Sequence, residues 1–145
     1  MDPVRFISNH STGKMGIAVA EALADAGADV KLVLGPTSIS TSHPGVTIIP
    51  VQSAADMLEQ CNTIFPDAKI AVMAAAVADY RPAKAADQKI KKDEDVLSLQ
   101  LEKTTDILKT LGTKKKTGQL LVGFALETNN EKEFALKKLQ TKNWI

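Results

Sequence analysis

Two periodicities alternate along this chain. Ile17, Ala20, Leu23 and Ala24 recur at helical spacing, and Gly27 supplies a C-terminal stop. Val30 to Leu34 is a short apolar run ended by Gly35-Pro36, which predicts a strand. A Ser/Thr/Pro-rich loop follows from Thr37 to Gly45, then a second strand from Val46 to Val51. Ser53 can cap the next helix with Asp56 three residues on. That helix presents Met57, Leu58 and Cys61 on its apolar face and stops before Pro66. Ile70 to Ala75 is small and apolar, as a strand buried on both faces should be.

The second half is more polar. Val77 to Asp95 reads as a long loop. Leu97, Leu99 and Leu101 alternate with polar residues and predict a strand with one wet face. Thr105 can cap a short helix ending at Gly112, and Leu120 to Phe124 is another buried strand. Asn130 with Glu133 forms a capping pair for a helix to Lys142, and Trp144-Ile145 begins a further strand. Strands alternating with helices predict an α/β fold: a Rossmann-like, doubly wound, mostly parallel sheet in a single domain. Ligands of such sheets sit at the carboxyl ends of strands, which points to the loops after Ala75 and after Phe124. A phosphate loop normally follows a strand, and only five residues precede Phe6. The first strand is therefore expected to be missing.

Composition narrows the class. The chain has 145 residues, 44% hydrophobic and 24% charged, enough for one globular core. Net charge is +1, which favours neither a nucleic acid nor a membrane surface as partner, and 4% aromatics leaves little for base stacking. No apolar run has transmembrane length. The lone cysteine, Cys61, excludes an internal disulfide and fits a cytoplasmic protein; its helical position predicts core filling. His10 and His43 are too isolated to suggest a metal site.

The stretch from Phe6 to Pro36, "FISNHSTGKMGIAVAEALADAGADVKLVLGP", reads as a loop that holds phosphate at the start of a helix. A nucleoside-triphosphatase loop requires G-x-x-x-x-G-K-[ST]. Here Met15 follows Lys14, and Ser8 stands where the first glycine belongs. A short-chain NAD(P)-dependent reductase shares the Gly-rich turn and a Y-x-x-x-K, matched by Tyr80 and Lys84. Pro82 between them opposes the single helix that pairing needs, by roughly 3 kcal/mol.

"DPVRFISNHSTGKMG", "AAVADYRP" (Ala75 to Pro82), "KIKK" (Lys89 to Lys92) and "GFALETNN" (Gly123 to Asn130) occur in an order and at separations that fit a third reading. Together they resemble phosphopantothenoylcysteine synthetase, in bacteria often the C-terminal half of a bifunctional flavoprotein. The resemblance runs nearly the whole length. It differs at Thr104-Thr105, which replace the family's Asn-Pro before Asp106, and at the end of the final helix, where the family's "KN-x-D" appears as Asn143-Trp144 without the acid. It implies that residues 1–145 are a nucleotide-binding synthetase domain with its first strand and C-terminal part missing.

The implied reaction joins 4'-phosphopantothenate to L-cysteine, with CTP rather than ATP as the expected co-substrate and Mg2+ arriving with the nucleotide. It also implies a homodimer with the active site completed across the interface. A non-catalytic nucleotide-binding fragment and the NAD(P)-dependent reductase are the alternatives.

Several residues are candidates for this chemistry. The helix mouth at Gly13 and Gly16 can hold phosphate through free N–H groups, and the helix start at Asp106, Ile107 and Leu108 can do the same; tight packing is the plainer role for such glycines. Asn9 can donate to a developing oxyanion, or simply be a turn residue. Asp79 can accept from a ribose hydroxyl or a base, help hold magnesium, or simply cap or close a turn. By resemblance, Met73, Ala74 and Ala75 line the nucleotide through backbone groups, and Asp79 and Phe124 contact it. Lys89 in "KIKKDED" would ordinarily be a solvated lysine; the resemblance makes it a nucleotide contact and a catalytic charge. Lys138 and Lys142 share a helix face and by resemblance reach the nucleotide. Arg5 is a candidate for the phosphate of phosphopantothenate.

Overall fold

A computed structural model of the chain describes residues 1–91 and 97–124. Helix α1, Lys14–Asp25, buries Ile17, Ala20 and Ala24, the stripe its spacing predicts. It ends where Gly27, at φ 91°, donates to the Ala24 carbonyl at 2.9 Å. Strands β1 (Val30–Leu34) and β2 (Val46–Pro50) pair in parallel, with Val30 opposite Val46 and Leu34 opposite Pro50. Helix α2, Ala54–Ile64, begins with the expected capping box, Ser53 and Asp56 each serving the other's backbone N–H. The Ser53 hydroxyl and backbone hold the Asp56 carboxyl below the usual range. A single 3-10 turn, Phe65–Asp67, carries Pro66 where the α-helical ladder can no longer use it.

Strand β3 (Ile70–Met73) pairs in parallel with β6 (Leu120–Gly123), Ile70 opposite Leu120 and Met73 opposite Gly123. Helix α3, Ile107–Lys114, leads back into β6. Val51, Met57, Cys61, Phe65, Ile107, Leu111 and Leu121 form one buried cluster, so α2, α3 and β6 share a core. Burial there pushes the Cys61 thiol up, as befits core filling rather than reactivity. The helix–strand alternation and the parallel pairs are those of a doubly wound α/β fold.

The structure departs from the expectations in five places. β3 stops at Met73, not Ala75, and Ile70 is 51% exposed. Among the described residues β1–β2 and β3–β6 are separate two-stranded sheets, so β3 has a neighbour on one edge only. The expected loop from Val77 contains a short strand, β4 (Tyr80–Pro82), antiparallel to β5 (Leu101–Lys103). Arg81 and Glu102 face each other across that pair in an ion pair at 2.7 Å. Leu97, Leu99 and Leu101 are all exposed, so the alternating run has no dry face among the described residues. Finally, α3 is capped by Asp106 rather than Thr105, and it runs through Gly112 to Lys114. The helix expected up to Lys142 and the strand at Trp144 lie outside the described residues.

Candidate functional site

The register of β3 on β6 sets the site. Met73 and Gly123 are opposite at the carboxyl ends of parallel strands, so the loop from Ala74 to Asp79 and the chain at Phe124 leave the sheet side by side. The loop after β3 is tied down from two directions. Asn9 donates from Nδ2 to the Val77 carbonyl at 3.1 Å, across 68 residues. Thr104 donates from Oγ1 to the Ala78 carbonyl at 2.6 Å and from its backbone N–H to the Asp79 carbonyl at 2.9 Å. The glycine turn, the β3 loop and the start of α3 therefore meet at one edge.

Gly16 brings α1 to this edge. A methyl group on it would lie 3.9 Å from Ala74 Cβ, an ordinary contact, so helix and loop touch with nothing larger between. Gly13 is the N-cap of α1, at φ 75°, and no side chain caps the helix. The N–H groups of Gly13 and Lys14 reach the hydroxyls of Ser11 and Thr12 only at 3.4 Å. The mouth of α1 thus keeps donors and dipole for an anion. Thr37 braces the turn by donating to the Thr12 carbonyl at 2.9 Å.

Gly13→Ala tests that turn. The left-handed backbone disfavours a side chain by roughly 1–2 kcal/mol, and a methyl group there would stand 3.3 Å from Thr37 Oγ1. We expect a loss of about that size in the denaturant midpoint. Gly27→Ala is strained in the same way but meets nothing within 4 Å. It should therefore lose less than Gly13→Ala.

The α3 mouth has a different character. Asp106 accepts from the Lys109 N–H at 2.9 Å, so a carboxylate already occupies that end of the dipole. Such an end suits a hydroxyl or amine donor better than a second anion. Ile107 is buried in the core and Leu108 packs against it, so only their backbone faces the mouth. Asp79 is exposed, and its carboxylate makes no hydrogen bond among the described residues. Ala74 is half-buried, while Ala75 and Asn9 are exposed. Phe124 is 53% exposed beside the loop.

A second feature is a cleft formed by the N-terminal segment and residues 89–91. Arg5, Lys89, Ile90 and Lys91 line an open cleft of about 260 Å³. Arg5 is ion-paired with Asp2 at 2.6 Å and donates to the Ile90 carbonyl at 2.6 Å. The net positive charge of the cleft therefore comes from Lys89 and Lys91. Asn9 is four residues from Arg5, so the backbones of these two residues lie roughly 14 Å apart at most.

Three structural links were not anticipated: Asp2, Thr37 and Thr104. Asp2 followed by Pro3 is a turn signal that could have flagged the first; nothing in sequence marks the others. Tyr80 and Lys84 do not share a helix face, because Tyr80 opens strand β4. Among the described residues no three His, Cys, Asp or Glu side chains are grouped to hold a metal, and no helix is long and apolar enough to cross a membrane. Lys138 and Lys142 lie outside the described residues.

A protein of an unknown prokaryotic organism named cysteine/cysteine sulfinic acid decarboxylase is 50% identical over 143 residues, 99% of this chain and 40% of its own length. The coenzyme A biosynthesis bifunctional protein CoaBC of Bacillus subtilis (strain 168) is 49% identical over 143 residues, 99% of this chain and 35% of its own. The chain thus spans well under half of either relative.

A crystal structure of the C-terminal domain of coenzyme A biosynthesis bifunctional protein CoaBC matches with TM-score 0.85 and 46% identity, over 99% of this chain and 66% of that one. The DNA/pantothenate metabolism flavoprotein from Streptococcus pneumoniae matches with TM-score 0.85 and 25% identity, over 99% and 73%. The family profile for the DNA/pantothenate metabolism flavoprotein C-terminal domain covers residues 1–144, and the chain belongs to that family.

Proposed function

We propose that the chain is the synthetase part of a phosphopantothenate–cysteine ligase acting in coenzyme A biosynthesis. The observation that carries this reading is the β3 loop, held between Asn9 of the glycine turn and Thr104 before α3. The relatives named for coenzyme A biosynthesis support it.

A carboxylate is a poor electrophile, so it must be activated before an amine can attack. One carboxylate oxygen of 4'-phosphopantothenate attacks the α-phosphorus of CTP, and the bond to pyrophosphate breaks. The amine of L-cysteine then attacks the acyl carbon. The amide forms, CMP leaves with the former carboxylate oxygen, and the amine gives up a proton. Magnesium travels with the nucleotide as part of the substrate.

The residues divide the work. The α1 mouth at Gly13 and Gly16 takes phosphate oxygens. Met73, Ala74 and Ala75 offer backbone groups at close range, Asp79 accepts from the nucleoside, and Phe124 packs beside it. Asp106, with the backbone of Ile107 and Leu108, faces the nucleoside from the other side, where the Asp106 carboxylate suits a donor. Asn9 carries two amide protons and uses one on Val77; the second is available for the acyl oxygen, an effect worth roughly 2.7–4 kcal/mol in comparable sites. Lys89 answers the charge on the departing pyrophosphate, joined by Lys138 and Lys142. Arg5 orients the phosphate of phosphopantothenate. Exposed Val4, Phe6, Leu97, Leu99 and Leu101 suit a homodimer interface near the cleft, in a cytoplasmic enzyme.

The test is pyrophosphate release with CTP, ATP and NADPH in parallel, on this chain and on one extended to the relatives' boundaries. Release from CTP that requires phosphopantothenate is the expected result. NADPH binding without CTP binding would select a reductase instead. Protection by CTP against heating, with no product from either length of chain, would reduce it to a binding domain.

A further inference from the structure

We propose that Asp2 is a positioning residue for this reaction: by gripping Arg5 and Ile90 together, its carboxylate fixes the Arg5 fork relative to Lys89 across the cleft. The inference rests on the synthetase reading for its substrate. Its geometry stands independently.

Asp2 accepts from the backbone N–H groups of Val4 at 2.9 Å and Arg5 at 2.8 Å, which closes a local turn. A turn alone needs no more than that. Oδ2 also accepts from Arg5 Nε at 2.9 Å and Nη2 at 2.6 Å, and from the Ile90 N–H at 3.1 Å, 88 residues away. Arg5 Nη2 returns to the Ile90 carbonyl at 2.6 Å. Both polar groups of the Ile90 backbone are therefore engaged, one by each member of the ion pair. The Ala86 N–H adds a further tie, to the Met1 carbonyl at 2.9 Å.

The Asp2 side chain is 0% exposed, so it reaches no ligand itself. Burial opposes its charge, but hydrogen bonds from the Arg5 side chain and from the backbone of Ile90, Val4 and Arg5 outweigh that and hold it well below the usual carboxylate range. It remains a carboxylate throughout the neutral range. Lys89 is adjacent to Ile90, so fixing the Ile90 backbone fixes the root of the lysine. Nε and Nη2 of Arg5 are spent on this frame, and Nη1 has no partner among the described residues. One edge of the guanidinium is therefore left for an anion, aimed by the other.

Asp2→Asn keeps the size and one acceptor but loses the charge and places an amide against Arg5. We expect KM for phosphopantothenate to rise and kcat to fall, each by about tenfold or more, in the fraction that remains folded, with the melting temperature also lowered because a buried, ion-paired acceptor is lost. Loss of folded protein alone would lower kcat at constant KM, and that result overturns the proposal. Binding of inorganic phosphate, followed by ³¹P NMR, should weaken in the same variant.

If wild type releases no pyrophosphate with any nucleotide, the synthetase reading fails, and the phosphate titration decides for Asp2: equal binding by wild type and Asp2→Asn overturns it. If Asp2→Asn does not fold, Arg5→Lys serves. It keeps the charge but not the two-sided fork, and an unchanged KM would refute the role.

Discussion

Replacing Lys89 with alanine should lower pyrophosphate release at least ~100-fold while leaving thermal unfolding where it was. The two halves of that expectation have separate grounds. Lys89 is exposed and makes no hydrogen bond among the described residues, so its removal takes nothing from the core. It does line the cleft with Arg5 and Lys91, and the charge of Arg5 is already offset by Asp2. Most of the field an anion meets there therefore belongs to two lysines.

A flexible ammonium can follow charge as it moves from a bridging oxygen to pyrophosphate, which a planar fork already committed to Asp2 cannot. The effect should fall on kcat more than on KM, because the charge is greatest as the bond breaks. Lys91→Ala, in the same cleft, should be the milder change. A Lys89→Ala enzyme that turns over normally would remove this residue from the chemistry.

What could be read in advance was chiefly local. Ser53 and Asp56 announced the start of α2, Gly27 the end of α1, and the apolar runs at Val30, Val46, Ile70 and Leu120 each became a strand. These signals act over a few residues, where propensity and hydrogen-bond satisfaction decide the outcome. Strand β4 was missed because three residues with a proline give no period, and its partner β5 lies about twenty residues on. At α3 two adjacent capping residues competed. Asp106 took the cap because Thr104 and the β5 end are drawn to Ala78 and Asp79. The strand at Ile70 looked doubly buried from composition, but burial depends on neighbours that its own residues do not specify.

The site divides the same way. The glycine turn and the acid after β3 were visible as motifs. Their relation was not, because it is made by Asn9 reaching Val77 and by Asp2 reaching Ile90, contacts that span 68 and 88 residues.

The largest loss of stability should come from Leu121→Ala. Leu121 is 0% exposed in the middle of β6 and belongs to the cluster with Leu111, Phe65 and Met57. Truncation removes the transfer free energy of three carbons and leaves a void that α2 and α3 can only partly fill. The expected loss is about 3 kcal/mol, within the 2–5 kcal/mol typical of such sites, which corresponds to roughly 10 °C in Tm. Leu101→Ala is the control. Leu101 is 45% exposed on β5, and its truncation should change stability by less than ~0.5 kcal/mol in the monomer.

The contrast bears on function because β6 is the only strand paired with β3 among the described residues. Loosening Leu121 weakens the pairing that sets Gly123 opposite Met73, and with it the loop that receives Asn9. Binding of CTP should therefore restore part of the lost stability of Leu121→Ala as the ligand concentration rises. Equal losses at Leu121 and Leu101 would mean that the core is not where α2, α3 and β6 meet, and the carboxyl-edge site built on that core would lose its footing.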